Sequence, residues 1–340
     1  MIRIDVSEIK NWELIKKKHS EWYEKKILPN IKKAHTLLLS KKTKDDSIKK
    51  YKELLKKIIE RGENYVIEEE LFLGYDDDEI KNILDLIKKL KNDFKKSNLS
   101  EDYLPHKLFS YDKFPNHTGE WNRHKLLSLM EIEVCPYCQR NYISSFEEND
   151  DKRTTADLDH FYPKSLYPFL ALSLYNFIPS CQICNSRFKG TKDTYNSVYP
   201  YEESFDDLGA KFKTSKEIIY EILGEKDANF FVEIDYKNLK NKDREKVEKS
   251  IKHLGLDKVY KKSHNQYIKD LLDNIEKYPK NYLESCVEIF DEYYKDKNKK
   301  EKIIKYFIDI VKEPCRKRIE NGEPLAKLTK DILDEFKIKI

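Results

Sequence analysis

The stretch "DLDHFYPKSLYPF", Asp157 to Phe169, carries two acidic residues and a histidine shortly before a proline. It lies between two Cys-x-x-Cys pairs, "CPYC" at 135–138 and "CQIC" at 181–184. Forty-two residues separate the two pairs, which is longer than in ordinary zinc fingers. The pairs predict a small metal-held module, and the side chains between them are candidates for its chemistry.

Four thiolates in two pairs complete the tetrahedral coordination of zinc and leave no open position, which is typical of a structural site. We therefore predict a structural zinc bound by Cys135, Cys138, Cys181 and Cys184. Redox use of the pairs is the alternative. Six cysteines in 340 residues are too few for a disulfide framework. The two others, Cys286 and Cys315, read as small buried hydrophobes in helical sequence.

Composition predicts a mostly helical protein. Charged residues make up 38% of the chain, with only 8 glycines and 11 prolines, which favours long amphipathic helices over a loop-rich β protein. The net charge is only +4, from 66 basic and 62 acidic residues. No global field then draws the chain to nucleic acid or to an anionic membrane, so any phosphate binding must be local.

The sequence carries no sign of a membrane segment. The amino terminus "MIRIDVSEIKNWELIKKKHSEWYEKK" lacks the apolar core of a signal peptide. Later stretches stay well short of the roughly 20 apolar residues that a membrane span requires. We therefore expect a soluble, cytoplasmic protein with no membrane partner.

The chain shows helical spacing on both sides of the cysteine-bearing block. Residues 8–60 and 77–98 read as amphipathic helices, with a break at Pro29. The irregular run 102–121 reads as a connection. Residues 229–236 alternate like a strand, and helical spacing then continues nearly to the end.

These observations predict a mainly α fold in which helical N- and C-terminal regions flank a small zinc-stabilised module. The boundaries we expect are a helical region at 1–125, the module at 126–215 and a second helical region at 216–340. Short lysine runs in the flanks read as solvated helix faces. The first helical region is the expected docking surface for a partner.

The residues inside the module match the needs of a hydrolytic phosphodiesterase. Such an enzyme requires a base that deprotonates water, a hard cation at the scissile phosphate and a scaffold that holds both. His160 offers an imidazole base, Asp159 an anionic oxygen ligand and Asn185 a neutral one. The cation that such oxygen ligands prefer is Mg²⁺ or Mn²⁺.

The order Asp159-His160, Asn176, then Cys-x-x-Cys-Asn-x-x-x-Lys-Gly resembles the HNH, or ββα-metal, nuclease family in its zinc-bearing version. The resemblance implies a hairpin that carries Asp159 and His160 and a helix that presents Asn185. It also implies that His160 is the general base, that Asp159 and Asn185 bind the cation, and that Asn176 braces the loop through backbone hydrogen bonds.

The segments "CPYC", "DHFYPKS" and "KHLGLDKVY" are similar to segments of the HNH nuclease subunits of Septu-type and retron-associated anti-phage defence systems. That similarity covers about residues 131–200, with weaker support to about 260. It implies an antiviral defence effector that works with an ATPase partner subunit. DNA is the default substrate for the motif, and structured RNA such as tRNA stays open.

Two positions depart from the family pattern. Asn185 stands where the family name implies histidine, and an oxygen ligand shifts the preference toward Mg²⁺ or Mn²⁺. Asp157 stands where many relatives have histidine, which suggests an outer ligand or a supporting acid. The cations around the site are candidates for phosphate contacts: Lys164, Arg187, Lys189 and Lys192.

Two functions from different classes therefore follow from the sequence. The first is a metal-dependent endonuclease. The second is a non-catalytic zinc adaptor that binds nucleic acid or a partner through its helical flanks. Cleavage of nucleic acid in the presence of Mg²⁺ or Mn²⁺ separates the two.

Overall fold

The fold is that of a computed structural model, which describes residues 1–41, 45–148, 151–218, 230–276 and 312–338. The chain forms two compact units. The N-terminal unit contains Arg3–Tyr137 and Ile143–Glu202, and the C-terminal unit contains Met1–Ile2, Cys138–Tyr142 and Glu203–Ile340. The division predicted from the sequence, at residues 125 and 215, stays a prediction.

The protein is mainly α, which confirms the fold class that composition predicts. The described residues of the N-terminal unit form six α-helices: α1 (Trp12–Lys26), α2 (Leu28–Ser40), α3 (Asp46–Arg61), α4 (Asp77–Lys96), α5 (Pro105–Leu108) and α6 (Arg123–Met130). Each long helix buries one apolar stripe, as in α4, where Ile80, Ile83, Ile87, Leu90 and Phe94 face inward. The spacing of three and four residues predicts these stripes.

Pro29 divides the first helical segment as expected. α1 ends at Lys26, and α2 begins at Leu28 with Pro29 in its first turn. Proline fits there because its missing N–H would have no partner inside the helix. A capping box closes the start of α4: the Asp76 side chain accepts the backbone N–H of Glu79, and the Glu79 side chain accepts the backbone N–H of Asp76.

Two antiparallel hairpins follow α6 in the N-terminal unit. β1 (Ser145–Glu148) pairs with β2 (Asp151–Thr154), and β3 (Ala156–His160) pairs with β4 (Phe177–Cys181). A short π-type helix, Ile183–Lys189, begins two residues after β4. The second hairpin and this helix together form a β-β-helix arrangement that carries most of the predicted site residues.

The C-terminal unit contains one described hairpin and a set of helices. β5 (Lys211–Thr214) pairs with β6 (Val232–Asp235), which confirms the strand predicted around residues 229–236. The helices are α7 (Phe205–Leu208), α8 (Asn241–Leu254), α9 (Leu256–Ser263), α10 (Asn265–Glu276) and α11 (Ala326–Glu335), and residues 312–320 are also helical. Carboxylates of α11 accept the backbone N–H groups of Phe212 and Thr214, which satisfies one edge of β5.

Three further expectations have outcomes of different kinds. Residues 102–121 contain no element longer than the four-residue helix α5, which is flanked by turns and single 3-10 turns, as an irregular run predicts. Cys286 and most of the helical sequence predicted after residue 276 lie outside the described residues. In the parts of the chain that the structure describes, no helix combines the length and apolar character of a membrane span.

Candidate functional site

The four cysteines of the two pairs come together in space. Their sulfur atoms all lie within 4.8 Å of one another, and all four side chains are buried. A tetrahedral zinc with bonds of about 2.3 Å to sulfur needs sulfurs separated by about 3.8 Å, which this cluster can supply. Cys135, Cys138, Cys181 and Cys184 could therefore hold a structural zinc.

Strand β3 carries three of the predicted site residues, and the pairing with β4 fixes where they lie. Asp157 is opposite Ser180, Asp159 is opposite Ile178 and His160 is opposite Phe177. Because β4 ends at Cys181, the same pairing ties the strand to the cysteine cluster. A thiolate of this cluster, Cys135 Sγ, accepts the backbone N–H of Cys181 at 3.3 Å.

Asp159 is buried and both of its oxygens have partners. Tyr137 donates its hydroxyl to Asp159 Oδ2 at 2.6 Å, and Lys189 Nζ lies 3.2 Å from Oδ1 and 3.1 Å from Oδ2. Burial raises the pKa of the Asp159 carboxyl, and the Lys189 ammonium opposes that rise. Burial also lowers the pKa of Lys189. Because both Asp159 oxygens already accept hydrogen bonds from Tyr137 and Lys189, this carboxylate is not open to a ligand in this arrangement.

His160 is buried next to this pair. Its Nε2 lies 3.0 Å from the carbonyl oxygen of Ala171, and its ring lies 4.4 Å from the ring of Tyr111, edge to face. A carbonyl only accepts, so Nε2 carries the proton and Nδ1 carries the lone pair that a base requires. Burial lowers the pKa of His160 to about 3, which keeps the imidazole neutral at physiological pH.

Asn176 holds the loop that follows β3. Its Oδ1 accepts the N–H of Tyr162 at 2.7 Å, and its Nδ2 donates to the carbonyls of Tyr162 at 3.1 Å and Leu170 at 3.0 Å. The side chain is fully buried. These are backbone hydrogen bonds of the kind that the family resemblance implies, and they fix the loop on which His160 and its partner Ala171 depend.

Asn185 points elsewhere, toward Asp157. The Asn185 Nδ2 lies 2.9 Å from Asp157 Oδ2, and both side chains are half-exposed. They line a cavity of about 360 Å³, whose other polar lining residues are Tyr111, Asn116, His117, Arg123, His124 and Thr154. The structure thus brings Asn185 beside Asp157, while Asp159 and His160 are not among the residues that line this cavity.

The residues that the run 102–121 and α6 bring to the cavity were not predicted as site residues from the sequence. The Arg123 guanidinium lies 3.6 Å from the centre of the Tyr111 ring and donates to the Tyr111 carbonyl and to Asn116 Oδ1, both at 2.6 Å. Burial lowers the pKa of Arg123. The signal in the sequence was the run of aromatic and polar residues without a clear period.

The predicted phosphate contacts have different surroundings. Lys164 and Arg187 are exposed, and Lys164 Nζ lies 4.7 Å from the centre of the Tyr111 ring. Lys189 is only 2% exposed, and besides Asp159 it donates to the carbonyl of His160 at 2.6 Å. A phosphate would reach Lys189 only if this pair opened, so its part in phosphate binding stays a prediction.

Comparison with known proteins gives a local match. A curated protein of Bacillus thuringiensis described as "Septu protein PtuB" is 34% identical over 70 residues. The match covers 20% of this chain and 24% of that protein, so it spans about a quarter of the relative's length. No family model matches the chain, and no solved structure matches it at a significant level. Over this limited stretch, the chain is similar to a Septu protein.

Proposed function

We propose that the protein is a metal-dependent HNH endonuclease that hydrolyses phosphodiester bonds of nucleic acid. The observation that carries the proposal is the placement of Asp157 and Asn185 side by side at a cavity that Arg123 also lines, with Asp159 and His160 on the same strand as Asp157. The β-β-helix order, the cysteine cluster and the local similarity to a Septu protein support it.

The donor set of the cavity suits a hard cation. A carboxylate and a side-chain amide oxygen are ligands that Mg²⁺ and Mn²⁺ prefer, and rotation of the Asn185 amide turns its oxygen toward Asp157. We propose that Asn185 and Asp157, which already lie side by side, are ligands, and that Asp159, which the sequence predicts as a ligand, joins them when its pair with Lys189 opens. A bound cation supplies positive charge that stabilises the phosphate in the transition state.

The chain's own groups have separate roles in this proposal. His160 accepts the proton of the attacking water at Nδ1, since Nε2 is held by Ala171. Arg123 binds the phosphate, because it is the arginine among the residues that line the cavity. Tyr111 packs against the His160 ring, so its side chain must move before water reaches the imidazole.

Cleavage assays on plasmid DNA and on total RNA, with Mg²⁺ or Mn²⁺, test the function and the substrate together. We expect His160→Ala to lower the rate by about 10²–10⁴-fold, the usual contribution of a general base. His35→Ala, on α2 and outside the cavity, is the matched control and keeps the wild-type rate. A wild-type protein that cleaves neither substrate, both alone and together with a co-purifying partner, would favour the alternative, a non-catalytic zinc adaptor.

Single changes Asp157→Asn, Asp159→Asn and Asn185→Ala identify the cation ligands. A ligand variant should need a higher Mn²⁺ concentration for half-maximal rate, which a merely structural residue would not require. An unchanged Mn²⁺ requirement in all three variants would remove this set from the proposal.

The similarity to a Septu protein also supports a role in anti-phage defence. We propose that the nuclease works in the cytoplasm with an ATPase partner subunit that controls it, and that DNA is the default substrate. Co-purification with the product of a neighbouring gene tests the partner. A lone chain that is fully active on host DNA would argue against such control.

A further inference from the structure

A second cavity of the N-terminal unit lies between α1 and the segment 113–121. It is the larger of the two, with a volume of about 540 Å³. Its walls combine positive side chains with two indole rings: Lys18, Lys25, Lys26, Lys113, Trp22 and Trp121. Nothing in the proposed chemistry uses these residues, so the cavity needs its own explanation.

The charge of this cavity is suited to an anionic ligand. Four lysines line it against two glutamates, Glu21 and Glu120. Lys25 and Lys26 are exposed at the end of α1, where they can reach a ligand from solvent. The whole chain is almost neutral, and the four lysines give this cavity a local excess of positive charge, which suits phosphate binding.

The aromatic rings are held in fixed positions. Trp22 is half-exposed and packs on Phe114, with ring centres 4.9 Å apart, and on His19 at 5.3 Å. Trp121 is buried and donates its indole N–H to His19 Nδ1 at 3.0 Å. A rigid, partly open indole beside lysines is the combination with which proteins bind unpaired nucleotides, because any base can stack on it.

The two cavities adjoin along the backbone. Lys113 and Pro115 line the lysine and tryptophan cavity, whereas Asn116 and His117 line the cavity of Asp157 and Asn185. Pro115 and Asn116 are consecutive, so their α-carbons lie about 3.8 Å apart. The walls of the two cavities are therefore adjacent at the Pro115–Asn116 peptide bond.

We infer that the lysine and tryptophan cavity binds an unpaired stretch of the nucleic-acid substrate, next to the phosphate that is cut. A base stacks on Trp22, and Lys18, Lys25 and Lys26 contact the phosphates. Bases in a duplex are stacked on each other and cannot reach the indole, so the substrate class is nucleic acid with a single-stranded segment beside the cleavage point. This inference rests on the proposed nuclease function.

Binding without cleavage tests the inference. The full-length protein in EDTA is titrated into a labelled oligothymidylate about 12 nucleotides long, and the dissociation constant is read from fluorescence anisotropy. We expect Trp22→Leu, which keeps an apolar side chain but removes the ring, to weaken binding at least about fivefold. Trp22→Phe keeps a stacking ring and should bind within about twofold of the wild type.

Charge is tested separately. Lys25→Glu with Lys26→Glu should weaken binding and flatten its dependence on salt, by about 0.7 in the logarithmic slope for each phosphate that the protein no longer neutralises. Lys89→Glu with Lys91→Glu, two exposed positions on α4, is the charge-matched control and leaves the slope unchanged. Thermal unfolding of every variant identifies any that fail to fold.

The possible results separate this inference from the nuclease proposal. Tight, Trp22-dependent binding without any cleavage in Mg²⁺ or Mn²⁺ would keep the binding site and overturn the nuclease. Cleavage by the wild type with equal binding by all variants would keep the nuclease and overturn the binding site. Tighter binding to a duplex of the same sequence would also overturn the binding site. So would Trp22 variants that lose a co-purifying protein but still bind the oligonucleotide as the wild type does.

Discussion

Asp157 and Asp159 leave the same strand two residues apart, yet they have different surroundings. Alternation places both on one face of β3. Asp159 is closed in by Tyr137 and Lys189, whereas Asp157 lies beside Asn185 at the wall of an open cavity. The comparison shows that the covering elements, and not the strand pattern, decide whether a carboxylate serves the fold or is available to a ligand.

The buried surroundings of Asp159 depend first on the cysteine cluster, which is tied to strand β3 through β4. We expect Cys135→Ser to give the largest effect of all, because structural zinc contributes about 10–16 kcal/mol in small zinc domains. The zinc content of this variant, measured by metal analysis, should fall below the value of about one per chain that we expect for the wild type, and the variant should be less soluble. Cys315→Ser, a half-buried thiol outside the cluster, should keep its zinc. Equal zinc content in both variants would contradict the assignment.

The ion pair between Lys189 and Asp159 is the main difference between the surroundings of Asp159 and those of Asp157. Lys189→Met leaves Asp159 as a buried carboxylate without its cation, which should cost about 3–5 kcal/mol of unfolding free energy. Urea unfolding measures this loss. Lys192→Met, at an exposed position three residues later, should stay within about 0.5 kcal/mol of the wild type. A similar small effect for Lys189→Met would show that the pair does not hold the site closed.

The buried histidine His19 makes the free energy of unfolding depend on pH. His19 donates from Nε2 to the Leu172 carbonyl and accepts the Trp121 indole N–H at Nδ1, and burial lowers its pKa to about 4. The unfolded chain binds this proton near pH 6.5, so stability is present above that pH and falls as pH drops toward 4. His19 contributes about 3 kcal/mol to this loss.

Urea unfolding at a series of pH values between 4 and 7 measures that loss. His19→Gln removes the titrating group, so its stability should depend less on pH over this window than that of the wild type. His117→Gln, at an exposed position, is the control and should keep the wild-type profile. Parallel profiles for the wild type and His19→Gln would contradict the prediction.

The two asparagines of the motif give the smallest expected effect and the cleanest contrast. Asn176→Ala leaves the buried N–H of Tyr162 without its acceptor, which should cost about 1–3 kcal/mol. Asn185→Ala, half-exposed at the cavity, should change stability by about 0.5 kcal/mol or less. Chemical unfolding of the two variants side by side measures the difference. A larger loss at Asn185 would reverse the assigned roles.

Much of the fold follows from the sequence, because its signals are local. Apolar spacing gives α1, α3 and α4, Pro29 separates α1 from α2, and alternation gives β6. The two cysteine pairs predict their own cluster, since four thiolates in this spacing have few other uses. The residues on and around β3 are also visible, but their roles stay predictions.

Helical periodicity and ligand spacing are properties of neighbouring residues, so the mainly α fold class and the cysteine cluster could be predicted without coordinates. Tertiary structure alone decided that Asn185 meets Asp157, that Lys189 closes on Asp159, and that Arg123 and His117 join the cavity. These pairings join residues up to 68 positions apart along the chain. Only the packing of helices and loops around the β3–β4 hairpin brings such residues together, and no local pattern records it.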